Sequence, residues 1–413
     1  MKIKPIEANA RIIYLDILRG MAILFIFLAN IYTFSGWGYM PDEGKIQFNM
    51  PLLNSIINQL TVIFIDGKWY SIFSILFGIG FVIQYENANS RNKSFNTFFT
   101  KRMVGLLFFG LIHLFFLWYG DILSLYALVG FLLILFKNQT NRRLLIWASI
   151  LLFLPLAHHL LMIAFNNFYP EVLYDLEEAY FANHNIPIEN NDGNFDYYAF
   201  IKIWLDGTSW KQFSTIVFGM PLERFAGLLY DGRFFKVLAC FLIGIWSGRM
   251  IIHDGLLKNT KLLKKIFLYG FLIGVPMNIL LAFGKVQSQH FWQLINIITY
   301  AFGVVPLACG YAAAVALVMK SEHKYLSIFA PVGQMAMSNY IFQTIISIVV
   351  FYGIGFGFAF DLSLWIIILI ALFIFLMQVI FSTIWLQHFR YGPLEWLWRM
   401  MTYQKYINNR KHS

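Results

Sequence analysis

Two apolar stretches of the sequence, each long enough to cross a bilayer, carry an arginine and a second polar side chain eleven residues later. Arg19 is followed by Asn30 in the first stretch, and Arg102 is followed by His113 in the other. Eleven residues of α-helix make about three turns, so each pair lies on one helix face, roughly 16 Å apart. Polar groups at membrane depth usually face the interior of a helix bundle, where partners offset the cost of burying them. We therefore predict two helices that share one polar interior.

His113 is the best candidate for a general base, and Asp121 is its candidate carboxylate partner. A neutral imidazole can take a proton from an acceptor hydroxyl or amine, and a carboxylate beside it would fix its tautomer and raise its basicity. Eight residues along one straight helix separate two side chains by about 12 Å, so direct pairing requires the chain to fold back at Tyr119–Gly120. The alternative interpretation is that His113 only bridges helices through hydrogen bonds.

A second candidate site combines Arg19 and Arg102 near one end of their spans. Guanidinium groups stay charged and offer forked donors, so this pair would bind the phosphates of a CoA-like donor. Asp16 lies three residues before Arg19 and can pair with it locally. The alternative is an interfacial ion pair, with Arg19 extended toward lipid phosphates. The glycine-rich runs at 77–81 and 353–358 are apolar and do not form a phosphate loop, which favours a role in close helix packing.

Four further polar residues are candidates for substrate binding. Asp66 and Lys68 bracket a turn at the end of an apolar span, where they would line an acceptor site or only cap the helix. Asn339 and Gln343 are four residues apart on one helical face. They would either line an acceptor path or hydrogen-bond across the bundle as packing contacts.

The composition is that of a membrane protein: 59% of the 413 residues are apolar and 13% are charged, against about 25% charged in soluble domains. The net charge of +10 comes from short basic clusters between apolar spans, which indicates membrane orientation rather than nucleic-acid binding. Cys240 and Cys309 both lie in apolar spans, so neither a disulfide framework nor a CxxC metal site is present in the sequence. We predict no metal site.

The hydropathy pattern predicts an all-α, polytopic transmembrane helical bundle of about ten crossings. The segment 52–66 is apolar but shorter and carries Asn54, which favours one short re-entrant or interfacial helix. The ten spans of about 20 residues fall near 12–34, 68–85, 103–119, 121–137, 144–166, 234–252, 265–284, 291–319, 335–357 and 363–386.

We predict a single integral membrane domain over residues 1–413, with five spans in 12–166 and five in 232–413. Lys and Arg cluster on alternate loops, which predicts that both termini are cytoplasmic and that the acidic loop 167–231 is extracytoplasmic. Within this loop, FDYYAFIKIWL and KQFSTIVFGMPLERFAGLLY follow the polar turn ENNDGN. They predict amphipathic helices over the outer mouth of the bundle. The bilayer would be the cell membrane.

Five sequence blocks, in order across nearly the whole chain, resemble the YeiB-like family of bacterial integral membrane proteins. The last two resemble the C-terminal part of that family, the domain of unknown function 418. The blocks are LDILRGMAIL at 15–24, FIDGKWYSIFSILFGIGF at 64–81, FGLIHLFFLWYGDILSLYALVG at 109–130, GQMAMSNYIFQT at 333–344 and WLQHFRYGPLEWLWRMMTY at 385–403.

This family more distantly resembles the transmembrane acyltransferases, which pass an acyl group from cytoplasmic acyl-CoA to an acceptor across the membrane. The acyltransferase-3 pattern has an Arg and, eleven residues later, a His. Arg19 matches the first position and Asn30 stands at the second. The heparan-glucosaminide N-acetyltransferases keep an Asn there and have a His eleven residues further on, where this chain has Pro41. The resemblance therefore implies a catalytic part for Asn30 and leaves His113 to replace the missing histidine.

The resemblance implies a transmembrane acyltransferase with acyl-CoA as donor substrate, a carbohydrate or lipid acceptor and no tightly bound cofactor. A membrane transporter of a small solute or lipid is the alternative, since it needs only a polar pocket that alternates its access. A non-catalytic envelope protein is the third hypothesis. A homodimer is the assembly we consider, and no nucleic-acid partner is expected.

Overall fold

The computed structural model describes residues 12–89, 94–187, 196–283 and 289–411, and these residues form helices and connecting turns with no β-strand. The predictions made for the polar turn 189–194 and for the basic loop residues Arg91 and Lys93 lie outside this part of the chain. The α-helices are α1 Ile13–Phe34, α2 Asp42–Lys45, α3 Pro51–Phe64, α4 Lys68–Asn89, α5 Phe95–Phe116, α6 Leu123–Phe136, α7 Asn141–Phe165, α8 Glu171–Asn183, α9 Tyr197–Asp206, α10 Trp210–Gly219, α11 Pro221–Tyr230, α12 Arg233–Ile252, α13 Thr260–Phe283, α14 Gln289–Thr299, α15 Val305–Leu326, α16 Ala330–Gln334, α17 Ala336–Phe351, α18 Leu364–His388 and α19 Pro393–Tyr403.

The predicted all-α polytopic bundle is confirmed, and its count of about ten crossings is approximate. In the described residues, eight helical spans are long and apolar enough to cross a membrane, and the bent pair α16 and α17 makes a ninth. The tenth predicted span corresponds to α6, an apolar helix of 14 residues. At 1.5 Å per residue α6 is about 21 Å long, shorter than the roughly 30 Å hydrocarbon layer. The helix is short because Asp121 and Ile122, at the start of the predicted span, lie in the connection between α5 and α6.

The short helix predicted at 52–66 is α3, which keeps an amphipathic pattern. Leu52, Ile56 and Leu60 are exposed, whereas Asn54 is buried and accepts a hydrogen bond from the backbone N–H of Trp365 at the start of α18. The pattern did not predict that α3 continues into α4 with little bend, as one span of 38 residues. Such a span is about 57 Å long, so it exceeds the hydrocarbon layer.

Close backbone contacts between helices occur at glycines. A Cβ at Gly20 of α1 would lie 2.0 Å from the carbonyl oxygen of Phe329, and one at Gly333 of α16 would lie 1.9 Å from that of Asp16. Gly78 of α4 and Gly244 of α12 meet in the same way, which joins the two halves of the sequence across the most extensive helix contact of the bundle. Small residues allow membrane helices to approach this closely.

We expect Gly20→Ala to destabilise the protein by about 1–3 kcal/mol, because the new methyl group overlaps the backbone of the neighbouring helix. Gly80→Ala is the matched control, since its Cβ would meet only the flexible end of Gln84, at 3.9 Å. Melting temperatures of the two variants in the same detergent measure the difference. Equal melting temperatures would contradict the close packing of α1 on α16.

The four helices α8 to α11, which we call the cap helices, lie between α7 and α12. Three of them, α8 to α10, pack through an aromatic cluster that they share with α1, α17 and α18, and Leu228 of α11 packs in a separate hydrophobic core. Trp204 of α9 is fully buried in this cluster, with ring centroids 5.4 Å from Tyr352 and 5.6 Å from Tyr119. Helices over 197–206, 210–219 and 221–230 agree with the predicted amphipathic segments.

We expect the cap helices to open more readily as the pH rises from about 5 to 9. Burial, together with the nearby carboxylates of Glu223 and Glu178, raises the pKa of Glu177 to about 9. Burial also raises the pKa of Glu223 to about 7. A carboxyl group with a raised folded-state pKa stabilises the fold fully below its unfolded pKa, about 4.3, and this contribution is lost as the pH rises through the folded value.

Hydrogen exchange of α8 and α11, corrected for the intrinsic pH dependence of amide exchange, measures this opening. Glu177→Gln should flatten the pH profile because the side chain can no longer ionise. Asp175→Asn, at an exposed position of the same helix, serves as control because Asp175 does not contribute to the raised pKa of Glu177. A profile unchanged by Glu177→Gln would contradict the assignment.

Candidate functional site

A cavity of about 510 Å³ opens between α1, α4, α5, α16, α17 and α19, and we call it the arginine cavity. Arg19 and Arg102, which the sequence predicted to act together, both line it, as does Arg399 of α19. Beyond the arginines its wall is largely apolar, with Ile23, Ile26, Phe73, Leu76, Phe77, Leu106 and Tyr126. The cavity therefore has a cationic mouth and an apolar interior.

Arg102 and Arg399 are held by aromatic rings rather than by carboxylates. The Arg102 guanidinium lies 3.7 Å from the centroid of the Trp398 ring, and the indole N–H of Trp398 donates to the Arg102 carbonyl at 2.8 Å. The Arg399 guanidinium lies 4.2 Å from the centroid of the Tyr391 ring. Within the described part of the chain, neither guanidinium has an ion pair or a hydrogen-bond acceptor. Stacking orients each plane while its N–H groups remain available for an anion.

Three carboxylates line the arginine cavity, those of Asp16, Glu86 and Glu395, and none of them pairs with Arg102 or Arg399 in the described structure. Asp16 forms an ion pair with Arg19 at 3.1 Å, as the sequence predicted. Glu395 of α19 accepts hydrogen bonds at 2.7 Å from the N–H of Met337 and at 2.6 Å from the hydroxyl of Ser338. This places a negative charge at the N-terminus of α17, where the helix dipole stabilises it. The mouth of the cavity consequently attracts anions.

A second cavity, of about 340 Å³, lies between α1, α4, α12 and α14, and we call it the amide cavity. Asn30 and Asn296 contribute amides, and Asp66 contributes a carboxylate. The cavity is also lined by three charged residues at the start of α12: Asp231, Arg233 and Lys236. Arg233 Nε donates to Asp231 Oδ2 at 3.1 Å.

One layer of side chains separates the two cavities. Ile26 of α1 lines both, Tyr126 lines the arginine cavity, and Tyr70 lines the amide cavity. The two tyrosine rings meet edge to face with centroids 6.0 Å apart. Tyr126 and Ser74 share a hydrogen bond of 2.6 Å, whereas the hydroxyl of Tyr70 is buried without a partner in the described structure. This layer is the barrier that any passage between the cavities must cross.

His113 lies outside the lining of both cavities, in a fully buried hydrogen-bonded group of α5, α6 and α17. Its Nδ1 is 3.0 Å from Oδ1 of Asp121, and its Nε2 is 2.9 Å from Oγ1 of Thr344. An ionised carboxylate can only accept, so Nδ1 donates to Asp121, and Nε2 then accepts from the threonine hydroxyl. The ring centroid of His113 is 5.0 Å from that of Tyr340, which does line the arginine cavity. One aromatic side chain thus separates this histidine from the cavity.

The chain folds back between α5 and α6, as direct pairing of His113 with Asp121 requires. Asp121 accepts hydrogen bonds from the backbone N–H groups of Leu123 at 3.1 Å and Ser124 at 2.6 Å, so it caps α6. Arg224 of α11 donates to the Asp121 carbonyl at 2.8 Å. Asp121 therefore links α5, α6 and the cap helices.

Of the other predicted site residues, two line the amide cavity, Asn30 and Asp66. The rest are buried away from it, and Lys68 is fully buried with its ammonium 2.5 Å from the carbonyl oxygen of Val62.

Asn339 and Gln343 are buried between α17 and α18. Asn339 donates to Ser382 at 3.0 Å, and Gln343 donates to Gln378 at 2.9 Å. These contacts agree with the alternative that Asn339 and Gln343 hydrogen-bond across the bundle as packing contacts.

Sequence reasoning did not single out the charged group at the start of α12 or assign Arg399 to the anion site. The aromatic and basic residues of the C-terminal tail are typical of an anchor at the inner membrane interface. Arg399 lies eight residues after Tyr391 in that tail, and no helical period connects the two with Arg102. The available signal for Asp231, Arg233 and Lys236 was three charges at the edge of an apolar span, which is also typical of a membrane interface.

Membrane-length helices around two buried polar cavities define a polytopic membrane protein. The chain belongs to the YeiB-like family: residues 248–405 match the family described as "Protein of unknown function (DUF418)". It is 32% identical over 408 residues to "Uncharacterized protein YxaH" of Bacillus subtilis (strain 168), covering 97% of this chain and 96% of that protein. It is 26% identical to "Uncharacterized protein YeiB" of Escherichia coli (strain K12), over 95% and 96% of the two chains. No solved structure matches the chain. The predicted family membership is confirmed.

Proposed function

We propose that this protein transfers an acyl group from acyl-CoA on the cytoplasmic side of the membrane to an acceptor on the opposite side. The observation that carries the proposal is the arrangement of the arginine cavity and the amide cavity, which Ile26 lines from both sides. A transferase of this kind needs a site for an anionic donor, a site for a polar acceptor and a short path between them. The two cavities and the single layer between them supply these parts.

The orientation of this arrangement follows from charge. The arginine cavity lies at the same end of the bundle as the basic loops, because its lining includes Asn87 near the end of α4 and Ile252 at the end of α12, which lead into the basic segments before α5 and α13. Basic loops face the cytoplasm. We therefore assign both termini to the cytoplasm of a bacterial cell and the cap helices to the outer face of its inner membrane. In a variant lacking Cys240 and Cys309, a cysteine replacing the exposed Glu178 should react only from outside, and labelling only from the cytoplasm would reverse the assignment.

Donor binding is assigned to the cationic mouth. The phosphates of CoA would lie against Arg102 and Arg399, whose stacked guanidinium planes offer parallel N–H donors. The pantetheine arm would extend along the apolar wall and bring the thioester toward Tyr126 and Ile26. Arg19 would support the phosphates while remaining paired with Asp16.

The transfer itself forms one bond and breaks one. An acceptor oxygen or nitrogen attacks the thioester carbonyl carbon, the new C–O or C–N bond forms, and the C–S bond breaks to release the CoA thiolate. Asp66, which has no ion pair in the described structure, takes the proton that the acceptor loses, and the thiolate is protonated by solvent. His113, with Asp121, remains the second candidate for this proton transfer, acting from behind Tyr340.

The test is incubation of detergent-purified protein with acyl-CoA species, with free thiol and retained CoA measured in parallel. Thiol release that depends on an added acceptor supports transfer. Ile26→Trp, which thickens the layer between the cavities, should lower thiol release while CoA is still retained. Asp66→Asn should likewise lower thiol release while CoA is still retained. If the protein neither released thiol nor retained CoA, the proposal would be overturned.

Transport of a small solute is the second candidate, and the same single layer favours it. In a transporter, a thin barrier beside a polar cavity is where access could switch from one side of the membrane to the other. This function needs no donor, so accumulation of a polar solute in vesicles without CoA would support it, and the Ile26→Trp variant would then lose transport.

A further inference from the structure

The fold leaves several polar groups of the amide cavity without partners. The amides of Asn30 and Asn296 and the carboxylate of Asp66 line it, and none of them has a side-chain hydrogen bond to another described residue. The hydroxyl of Tyr70 is buried and also unpartnered in this part of the chain. Asn30 and Asn296 are half-buried and Asp66 is exposed, whereas a buried hydroxyl without a partner, such as that of Tyr70, costs about 1–3 kcal/mol. Together these groups offer hydrogen-bond donors and acceptors to a polar occupant of the cavity.

Lys236 provides the strongest single indication. Its residue is only 9% exposed, and its ammonium lies 4.8 Å from the centroid of the Tyr300 ring. No described residue accepts a hydrogen bond from this ammonium. The nearby carboxylate of Asp231 is occupied by Arg233 at 3.1 Å and by the amide of Gln293 at 3.2 Å. A buried ammonium requires oxygen atoms around it, so the occupant should supply them.

The groups that line the cavity select hydrogen bonding over aromatic stacking. Trp69 lies in the wall, but its ring stacks on Phe25 with centroids 4.2 Å apart and on Tyr311 with centroids 5.3 Å apart, so both ring faces are covered. An aromatic or purely apolar ligand would therefore find no open ring face on this tryptophan. The remaining polar groups are amides and phenols, which donate and accept, with ammonium and guanidinium donors and carboxylate acceptors, and aliphatic side chains complete the wall.

The charges of the cavity balance. Arg233 and Lys236 are cationic, and Asp66 and Asp231 are anionic. A ligand without a large net charge suits this balance. The volume of about 340 Å³ is at the lower end of ordinary ligand sites. Together these properties describe a small molecule that carries several hydroxyl groups.

We propose that the amide cavity binds a small hydroxyl-rich molecule of the sugar or polyol class. Lys236 donates to its oxygen atoms, and Asn30 and Asn296 each hold one hydroxyl through paired donor and acceptor atoms. Asp66, at the exposed side of the cavity, accepts from a further hydroxyl. That this molecule is the acyl acceptor rests on the proposed transfer, whereas its binding does not.

The experiment measures the melting temperature of the purified protein against increasing methyl α-D-glucopyranoside, glucosamine and glucuronate. These probes share the hydroxylated ring and differ in charge. A ligand that binds only the folded protein raises the melting temperature in a concentration-dependent manner. We expect such a rise with at least one probe, and a weakening of apparent affinity by about tenfold or more in Lys236→Met and in Asn296→Leu.

Lys236→Met removes a buried charge and keeps the length of the side chain, so it should fold. Asn296→Leu provides an independent variant. Arg143→Ala, at an exposed position outside both cavities, should leave sugar binding unchanged. Absence of stabilisation by all three probes, or stabilisation that persists unchanged in both cavity variants, would overturn the proposal. If the protein bound sugar but retained no CoA, the proposed acyl transfer would be rejected and the proposed sugar site would be supported.

Discussion

Arg102→Ala and Arg399→Ala should each weaken CoA binding by about 10- to 100-fold. A hydrogen bond to a charged group contributes about 1.5–3 kcal/mol, and each 1.4 kcal/mol is a factor of ten in affinity. Both guanidinium groups face the arginine cavity without a competing carboxylate in the described structure. Equilibrium binding of CoA to purified protein, measured calorimetrically at low and high salt, gives the affinity. Added salt should weaken binding by the wild type more than by the variants, because it screens charge interactions.

Two further variants separate a phosphate site from general electrostatics. Arg143→Ala removes the same charge from an exposed position outside the cavity and should leave binding unchanged. Arg102→Lys keeps the charge but loses the planar fork that stacks on Trp398, so its affinity should fall between those of the wild type and Arg102→Ala. If Arg143→Ala and Arg102→Ala weakened binding equally, net charge rather than the cavity would hold CoA, and the donor site would be disproved.

His113→Ala should produce the largest loss of stability among single substitutions of the predicted site residues. The change leaves Asp121 without its imidazole partner and Thr344 without its acceptor, in an environment from which water is excluded. Each buried group left without a hydrogen-bond partner costs about 1–3 kcal/mol, and more when the group is charged. His113→Asn should recover part of the loss, because an amide can still donate to Asp121. Melting temperatures of the two variants, together with their rate of thiol release per folded molecule, decide the role of His113.

The two measurements separate a bridging role from a catalytic one. We expect the rate per folded molecule to stay near the wild-type value, because His113 lines neither cavity and both ring nitrogens are occupied. If His113 were the catalytic base, His113→Ala would instead lower the rate by about 10² to 10⁴-fold in a protein that still folds and binds CoA. That second outcome would establish His113 as the catalytic base and displace Asp66. Asp121→Asn is a useful companion, since it keeps one of the two hydrogen bonds that cap α6 and removes the charge beside His113.

The sequence by itself determined the all-α bundle, the positions of its spans and the local pairs along single helices. Hydropathy and the 3.6-residue period are local properties, so they located α1 and α18 to within a few residues and placed Asp16 beside Arg19. The pairing of His113 with Asp121 was also within reach, because Gly120 suggested a turn between residues only eight apart. The short length of α6 was not, since it depends on how Asp121 caps the helix.

Only the tertiary structure decided which distant residues face the same space. Trp398 and Arg102 are 296 residues apart in the chain and stack within 3.7 Å. Asn30 and Asn296 meet in one cavity by the packing of α1 near α14. The tertiary structure also placed Asn30 and His113 in different environments, although the eleven-residue spacing had predicted one shared polar interior for both. Helix periodicity fixes the face on which a side chain lies, but the neighbour of that face depends on close contacts such as Gly20 on Gly333. Such contacts arise from the shapes of packed surfaces, which no spacing within one helix encodes.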